Sequence, residues 1–167
     1  MGSNKSNGSE GSDESTTLKI IKTEGLLGYK FKDKDILKRA LTRTAYNNDH
    51  NRYDSLDQEP LATIGDAVIG FLVIKCLTAN GVKTPRDITE RKKDLVSREH
   101  LSGFSRSKCL QECVLWGKGE GRDKIWEKRR ALGECLEAIV GAVYLDSKEI
   151  DDCEMVLEKF LPRNCLE

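Results

Sequence analysis

The apolar residues of this chain recur mainly at the three- and four-residue spacing of a helix, and the strict alternation typical of strands is scarce. After Asp33, a residue type favoured at helix N-caps, four apolar residues follow this spacing: Ile36, Leu37, Ala40 and Leu41. The pattern predicts an all-α fold in which amphipathic helices surround two buried ones.

Capping signals set the bounds of the predicted helices. The longest covers residues 59–79, with Pro60 in its first turn and Asn80-Gly81 at its end. Thr84 and Pro85 are typical of the cap and first residue of the next helix. Other helices are predicted from residue 18 to Gly25 or Gly28 and over 33–41, 99–113, 128–146 and 150–160, the last ended by Pro162; loops are predicted at 46–58 and 117–121.

Two apolar stretches each contain an acidic residue that is followed by glycine four residues later. The pairs are Asp66 with Gly70 and Glu137 with Gly141. Because residues i and i+4 share one face of a helix, each acid lies beside a residue that has no side chain. We therefore expect the two helices to cross at these glycines and to bring their carboxylates together, where like charges require a cation.

Two further acids lie on the same helical faces. Glu134 precedes Glu137 by one turn, and Glu59 precedes Asp66 by two turns. Mg²⁺ prefers oxygen ligands, and two such ions about 4 Å apart can activate water and stabilise the leaving oxygen of a phosphodiester. The spacing alone leaves open the alternative that Asp66 is hydrogen-bonded within the core while the two glutamates face solvent.

Composition separates the N-terminal segment from the rest. Residues 1–17 are almost entirely polar, so we expect a disordered tail or a non-native extension there and one ordered domain over 18–167. The tail lacks the apolar region of a secretory signal, and Asp66 and Lys75 interrupt the longest apolar stretch. These features predict a soluble, intracellular protein, most simply a cytoplasmic one, with no membrane partner.

Charge is balanced overall but unevenly distributed. Residues 81–130 hold 14 Lys and Arg against 8 Asp and Glu, whereas residues 131–167 hold 3 against 9. A basic segment beside an acidic one suits a polyanionic substrate together with a metal ion. Solvated helix faces are the alternative interpretation.

Other common chemistries find little support. The six cysteines include no C-x-x-C pair, and neither His50 nor His100 gives the spacing of a zinc site. The glycines at 117–121 lack the Walker pattern, so a flexible connection is expected there.

Five sequence segments are informative because of their order. They are LGYKF (27–31) with LKRALT (37–42), EPLATIGDAV (59–68), DLVS (94–97), WGKGE (116–120) and ECLEAIVGAVYLD (134–146). In this order they resemble the ribonuclease III family, and the resemblance extends over roughly residues 26–146.

The resemblance implies a ribonuclease III endonuclease domain that forms a homodimer and cuts double-stranded or structured RNA. In that family a water activated by Mg²⁺ or Mn²⁺ attacks the phosphodiester. The resemblance places Asp66 and Glu137 as the principal metal ligands, Glu134 as a third and Glu59 nearer the edge of the cluster. Contacts to the RNA backbone would come from the basic segment: Lys92, Lys93, Arg98, Lys128, Arg129 and Arg130.

The sequence departs from the family pattern at three positions. Ala62 stands where a second Glu is usual, Thr63 where an aromatic dimer contact is usual, and Glu134 where Asp is usual. No double-stranded RNA-binding domain follows within these residues. The alternatives are therefore a ribonuclease III-fold RNA-binding or assembly protein with weakened or lost catalysis and, more remotely, a helical protein-interaction domain.

Overall fold

The computed structural model describes residues 10–128 and 130–161 of the chain. Regular structure within these ranges is helical, apart from one isolated parallel bridge between Thr42 and Leu115. The predicted all-α fold is therefore confirmed. The helices are α1 (Glu10–Leu27), α2 (Lys34–Leu41), α3 (Thr44–Asp49), α4 (Glu59–Ala79), α5 (Pro85–Leu95), α6 (Arg98–Ser107), α7 (Lys118–Arg122), α8 (Ile125–Lys128), α9 (Ala131–Ser147) and α10 (Ile150–Leu157), with a short 3₁₀ helix at Leu110–Glu112.

The centre of the fold is the packing of α4 against α9. Twelve of the seventeen residues of α9 are buried, and α2, α6 and α10 cover its remaining sides. Helix α5 packs on the other side of α4. By length and composition α4 is the one helix, among the described residues, that could cross a membrane, but its buried residues face α9 as in a globular core.

The two central helices approach most closely at Gly65 and Gly141. A Cβ atom at Gly65 would lie 1.7 Å from the carbonyl oxygen of Glu137, and one at Gly141 would lie 2.1 Å from the carbonyl oxygen of Leu61. The expected crossing at Gly141 is therefore observed, but the expected crossing at Gly70 is wrong. Gly70 instead faces the end of the Lys92 side chain.

Local capping signals predict the helix starts well. The Asp33 carboxylate accepts from the N–H of Asp35, and the Thr84 hydroxyl accepts from the N–H of Asp87. Pro85 occupies the first turn of α5, where no intrahelical N–H is lost. These caps depend on residues next to each other in the chain, which is why the sequence reveals them.

Helix α1 differs from its prediction in length and in the face it buries. It begins at Glu10, inside the range expected as a tail, and its Leu18 and Ile21 are 62% and 55% exposed. The buried side includes Thr23 and Glu24. Their polar groups are satisfied locally, because Thr23 donates to the Lys19 carbonyl and Glu24 accepts from the Phe31 N–H. The apolar residues of α1 are therefore divided, because Leu27 at its end is buried while Leu18 and Ile21 face solvent.

The predicted glycine-rich loop at 117–121 is wrong, because Gly117 is the N-cap of α7 and the residues after it belong to that helix. The Glu120 carboxylate accepts from the N–H of Gly117, and Asp49 accepts from the N–H of Lys118. Both contacts satisfy free N–H groups at the start of the helix. They outweigh the low helix propensity of glycine.

Three other bounds also differ from prediction. The polar region 46–58 begins with α3, and the helix predicted over 99–113 breaks at Cys109, whose φ is 59°. The last helix ends at Leu157, and the expected stop at Pro162 lies outside the described residues.

Candidate active site

Glu137 is the buried acid of the candidate site. It lies on α9 with 2% of its surface exposed, and its own carbonyl oxygen packs against Gly65 of α4. The pKa of its carboxyl is raised to about 7, mainly by burial; Arg98 lowers this pKa, whereas the nearby charges of Asp66 and Glu134 raise it. The alternative in which Glu137 faces solvent is therefore excluded.

Asp66 reaches the site from the exposed side of α4. It follows Gly65, the residue at which α4 touches the backbone of Glu137. The close approach of the two helices thus places Asp66 beside Glu137, and its charge acts on the Glu137 carboxyl. The arrangement combines one buried and one solvent-accessible carboxylate.

Glu134 is held by an arginine that precedes α3. Arg43 donates from Nη1 to Glu134 Oε2 at 2.7 Å and from Nη2 to Glu120 Oε1 at 2.8 Å. The Arg43 side chain is only 16% exposed, and its guanidinium lies 5.7 Å from the ring centre of Trp116. Two carboxylates and an aromatic ring therefore fix this cation in place.

Glu137 also contacts an arginine, but more loosely. Arg98 Nη2 lies 3.4 Å from Glu137 Oε2, and half of the Arg98 side chain is exposed. Two arginines therefore face the acids of the site, and they differ in exposure and in the length of their contacts.

Glu59 lies at the edge of this group. It occupies the first turn of α4, where its carboxylate accepts from the Thr44 hydroxyl at 3.3 Å. Ala62, one turn later, is buried with 4% exposure, and Thr63 lies on the exposed side of the helix.

The donor chemistry of the site suits a hard cation, although its side chains are not gathered into a closed ligand set. Asp66, Glu134 and Glu137 supply carboxylate oxygens, the ligands that Mg²⁺ and Mn²⁺ prefer. Across residues 10–128 and 130–161, however, no three or more His, Cys, Asp or Glu side chains are arranged to hold a metal ion. Glu134 is turned to Arg43 and Glu137 to Arg98.

A cleft of about 910 Å³ opens next to these acids, between α6, α7, α8 and the start of α9. Its wall mixes both charges: Arg43, Arg98, Arg106, Lys128 and Arg130 with Glu99, Glu120, Asp123, Glu127 and Glu134. Salt bridges within the wall, such as the one between Arg130 and Glu99, compensate much of this charge.

The basic residues expected to contact RNA are not gathered on one surface but lie in three parts of the fold. The end of Lys92 lies over Gly70 on α4, and Lys93 is exposed on α5. Arg98 contacts Glu137, whereas Lys128 and Arg130 line the cleft. Arg129 lies outside the described residues.

Two residues of the site were not found by sequence reasoning. Glu120 belongs to the WGKGE segment, so its position in that segment was the available signal. Arg43 carried no signal, because its two partners lie 77 and 91 residues away in the chain. Only the packing of the helices brings them together.

Comparisons with known proteins agree with this architecture. The Ribonuclease-III-like family matches residues 33–164. Ribonuclease 3 of Streptococcus gordonii is 35% identical over 130 residues, which cover 75% of this chain and 56% of that protein. Ribonuclease 3 of Streptococcus pneumoniae strain Hungary19A-6 is 31% identical over 134 residues, or 80% of this chain and 58% of that protein. The chain thus spans little more than half the length of these relatives.

Two solved structures of the nuclease domain of ribonuclease III from Campylobacter jejuni have the same fold. One superposes with a TM-score of 0.73 at 27% identity and covers 85% of this chain and 94% of that one. It is described for structural flexibility in a region involved in dimer formation. The other has a TM-score of 0.71 at 27% identity, covering 86% and 92%. The helical fold, the order of the segments and these relatives together show that this chain belongs to the ribonuclease-III-like family.

Proposed function

We propose that the chain is a metal-dependent endoribonuclease that cleaves double-stranded or structured RNA by attack of water on the phosphodiester. The observation that carries this proposal is the buried Glu137 beside Asp66 at the crossing of α4 and α9. A core carboxylate next to two others is unfavourable for folding alone, and such a cost is typical of functional sites.

We assign the residues of the site to two roles, binding of the metal ion and positioning of its ligands. Asp66 and Glu137 are the proposed principal ligands of Mg²⁺ or Mn²⁺, Glu134 is a third, and Glu59 is peripheral. A bound divalent cation would lower the pKa of a water molecule and offset negative charge at the phosphate. Arg43 holds Glu134 in position, and its contact with Glu120 connects that position to α7.

The proposed substrate is RNA recognised by shape. A-form RNA exposes phosphates and 2′-hydroxyls across a shallow minor groove, so contacts to the backbone rather than to base edges would dominate. The described candidates for phosphate contacts are Lys92, Lys93, Arg98, Lys128 and Arg130, with Arg129 as a further proposal from sequence. Such binding weakens steeply with salt concentration. The location we propose is intracellular, most simply the cytoplasm.

We further propose a homodimer formed through the exposed side of α4. Thr63, Ala67, Phe71 and Ile74 share this side of the helix, and Phe71 and Ile74 are 54% and 37% exposed. A second copy of the same helix would cover these residues symmetrically. The side also carries Asp66, so dimerisation would bring two acidic sites to one face of the assembly.

Cleavage of a duplex RNA tests the proposed activity. The purified protein is incubated with a labelled duplex in Mg²⁺ or Mn²⁺, beside Glu137→Gln, which keeps the side-chain shape but removes the ligand charge. We expect the rate to fall by at least about 100-fold, because a principal ligand to the reacting centre is lost. Glu158→Gln, an exposed glutamate after α10, is the matched control and should cut normally.

Equal cleavage by the wild type and Glu137→Gln would contradict the assignment of Glu137. Salt-dependent duplex binding with no cleavage by any protein would favour the RNA-binding or assembly alternative. This alternative is tested because Ala62 and Glu134 differ from the residues usual at these positions in the family.

A further inference from the structure

Arg98 is the first residue of α6, and its backbone is packed against α9. A Cβ atom at Gly133 would lie 2.6 Å from the carbonyl oxygen of Arg98. One turn further along α6, the Ser102 hydroxyl accepts from the buried N–H of Gly133 at 2.8 Å. The position of the Arg98 backbone relative to α9 is therefore set by direct main-chain packing.

Gly133 lies one turn before Glu137, so this packing brings Arg98 to the same side of α9 as the acid. The Arg98 side chain then reaches Glu137 through one contact of 3.4 Å. Its exposure is 50%, against 2% for the glutamate. The cation of this ion pair can return to water, but the buried carboxylate cannot.

We propose that Arg98 is a built-in counter-cation for Glu137, which a divalent metal ion displaces when it binds. This inference rests on the proposed metal-dependent function. It gives Arg98 a role different from the phosphate contact expected from sequence. Arg98 would be a positioning residue: it neutralises and orients Glu137 before the metal ion arrives, and its release is part of metal entry.

The geometry favours exchange at Arg98 over exchange at Arg43. Arg98 makes one long contact from a half-exposed side chain, so water can solvate its guanidinium when it leaves Glu137. Arg43 binds two carboxylates at 2.7 and 2.8 Å and is 16% exposed. A metal ion entering the site would therefore free Glu137 while Glu134 remains held by Arg43.

Metal affinity gives the direct test, independent of catalysis. Binding of Mn²⁺ is measured at pH 8 by titration calorimetry and by the electron paramagnetic resonance signal of free Mn²⁺, without RNA. Arg98→Gln removes the competing charge, so we expect its dissociation constant for Mn²⁺ to be lower by on the order of tenfold, equivalent to about 1.4 kcal/mol. Arg98→Lys keeps the charge and should stay close to the wild type.

Arg106→Gln is the matched control. Arg106 lies on the same helix and lines the same cleft, but it donates to the carbonyl oxygens of Trp126 and Glu127 rather than to an acid of the site. Its dissociation constant for Mn²⁺ should equal that of the wild type. An Arg98→Gln affinity no tighter than the wild type would overturn the inference while leaving the proposed nuclease function intact.

Thermal unfolding in EDTA supplies a second readout. At pH 8, the pH of the metal titration, and without metal, Arg98→Gln leaves Glu137 buried without its cation, and we expect Tm to fall by about 3–6 °C. Adding Glu137→Gln to this variant should recover most of the loss, because no buried charge remains. An unchanged Tm for Arg98→Gln in EDTA would overturn the counter-cation role. Absence of Mn²⁺ binding in every protein would overturn the exchange and would also contradict the proposed metal dependence.

Discussion

The Glu137 carboxyl occupies a position where ionisation is unfavourable, and this has a thermodynamic consequence. Its pKa is raised from 4.5 to about 7 in the folded protein, first by burial and then by the charges of Asp66 and Glu134. The folded state therefore binds this proton more tightly than the unfolded state. Folding and ionisation oppose each other at this residue.

We expect metal-free protein to lose stability through Glu137 as the pH rises from about 4.5 to 7. Below this window Glu137 is protonated in both states and contributes nothing; above it the loss is complete, at about 3 kcal/mol. Urea unfolding in EDTA at pH 5 and pH 8 measures the effect. Glu137→Gln should lack this component, so its stability relative to the wild type should increase between the two pH values.

Other carboxyls change stability in the opposite direction, which is why the comparison uses a variant. The pKa values of Glu24 and Asp146 are lowered by the hydrogen bonds and cations around them, despite opposing desolvation. Their contribution is present in both proteins and cancels in the difference. An identical pH dependence for the wild type and Glu137→Gln would contradict the expected role of burial.

At the scale of the helices, the effect of adding a side chain at a glycine depends on whether another helix backbone packs against that glycine. Gly65 and Gly141 let α4 and α9 touch, whereas Gly70 has only the flexible end of Lys92 above it, 3.1 Å from where a Cβ atom would lie. Gly65 and Gly141 are therefore needed for the contact between the two helices, whereas Gly70 is not.

Gly65→Ala and Gly70→Ala form a matched pair that tests this difference. The new Cβ atom at Gly65 would overlap the Glu137 carbonyl, so α4 and α9 would have to separate. We expect the free energy of unfolding to fall by more than about 4 kcal/mol, or folding to fail. At Gly70 we expect a change within about 1 kcal/mol, because Lys92 can move and alanine favours a helix.

Circular dichroism and urea unfolding distinguish these outcomes. If both variants were equally stable, the close approach of α4 and α9 at Gly65 would not be a determinant of the fold. A large loss at Gly70 alone would instead support the crossing expected from sequence spacing.

The helices whose bounds could be predicted from sequence are those defined by neighbouring residues. The range of α4 and the start of α5 follow from Pro60, Asn80, Thr84 and Pro85, all of which act within one or two turns. Helix α7 was missed although Glu120 gives a local capping signal at Gly117, because Asp49, which satisfies the next free N–H group, is 69 residues away.

The same distinction applies to the candidate site. Periodicity and spacing pointed to Asp66 and Glu137, because an acidic residue within an apolar helical stretch can be recognised from the sequence alone. The contacts of Arg43 with Glu134 and of Arg98 with Glu137 could not be predicted from sequence. Arg43 reaches Glu134 from a loop between α2 and α3, and Arg98 reaches Glu137 only because Gly133 allows α6 to touch α9.

At the scale of the whole molecule, the exposed side of α4 is the feature that points beyond a single chain. The family's usual aromatic residue is replaced by Thr63, but Phe71, two turns later on the same side of the helix, is 54% exposed. An exposed phenylalanine beside Ala67 and Ile74 supplies an apolar contact of another kind. We expect this contact to compensate for the substitution at Thr63.

Phe71→Asp should weaken the proposed dimer by at least about 100-fold, because it places two like charges near the symmetry axis of the interface. Sedimentation velocity over a concentration series measures the dissociation constant. Leu18→Asp is the matched control, since Leu18 is 62% exposed on α1, away from α4. A dimer unaffected by Phe71→Asp would assign the interface to another surface.

The contact between Gly65 and the backbone of Glu137 also bears on when activity can arise during synthesis. Asp66 emerges from the ribosome long before Glu137, and neither acid has its partner until α9 has been made and has docked on α4. Cleavage would therefore be impossible for a nascent or misfolded chain that still exposes α4. In the proposed function, the docking of α9 on α4 would therefore complete the core and assemble the Asp66–Glu137 pair in one step.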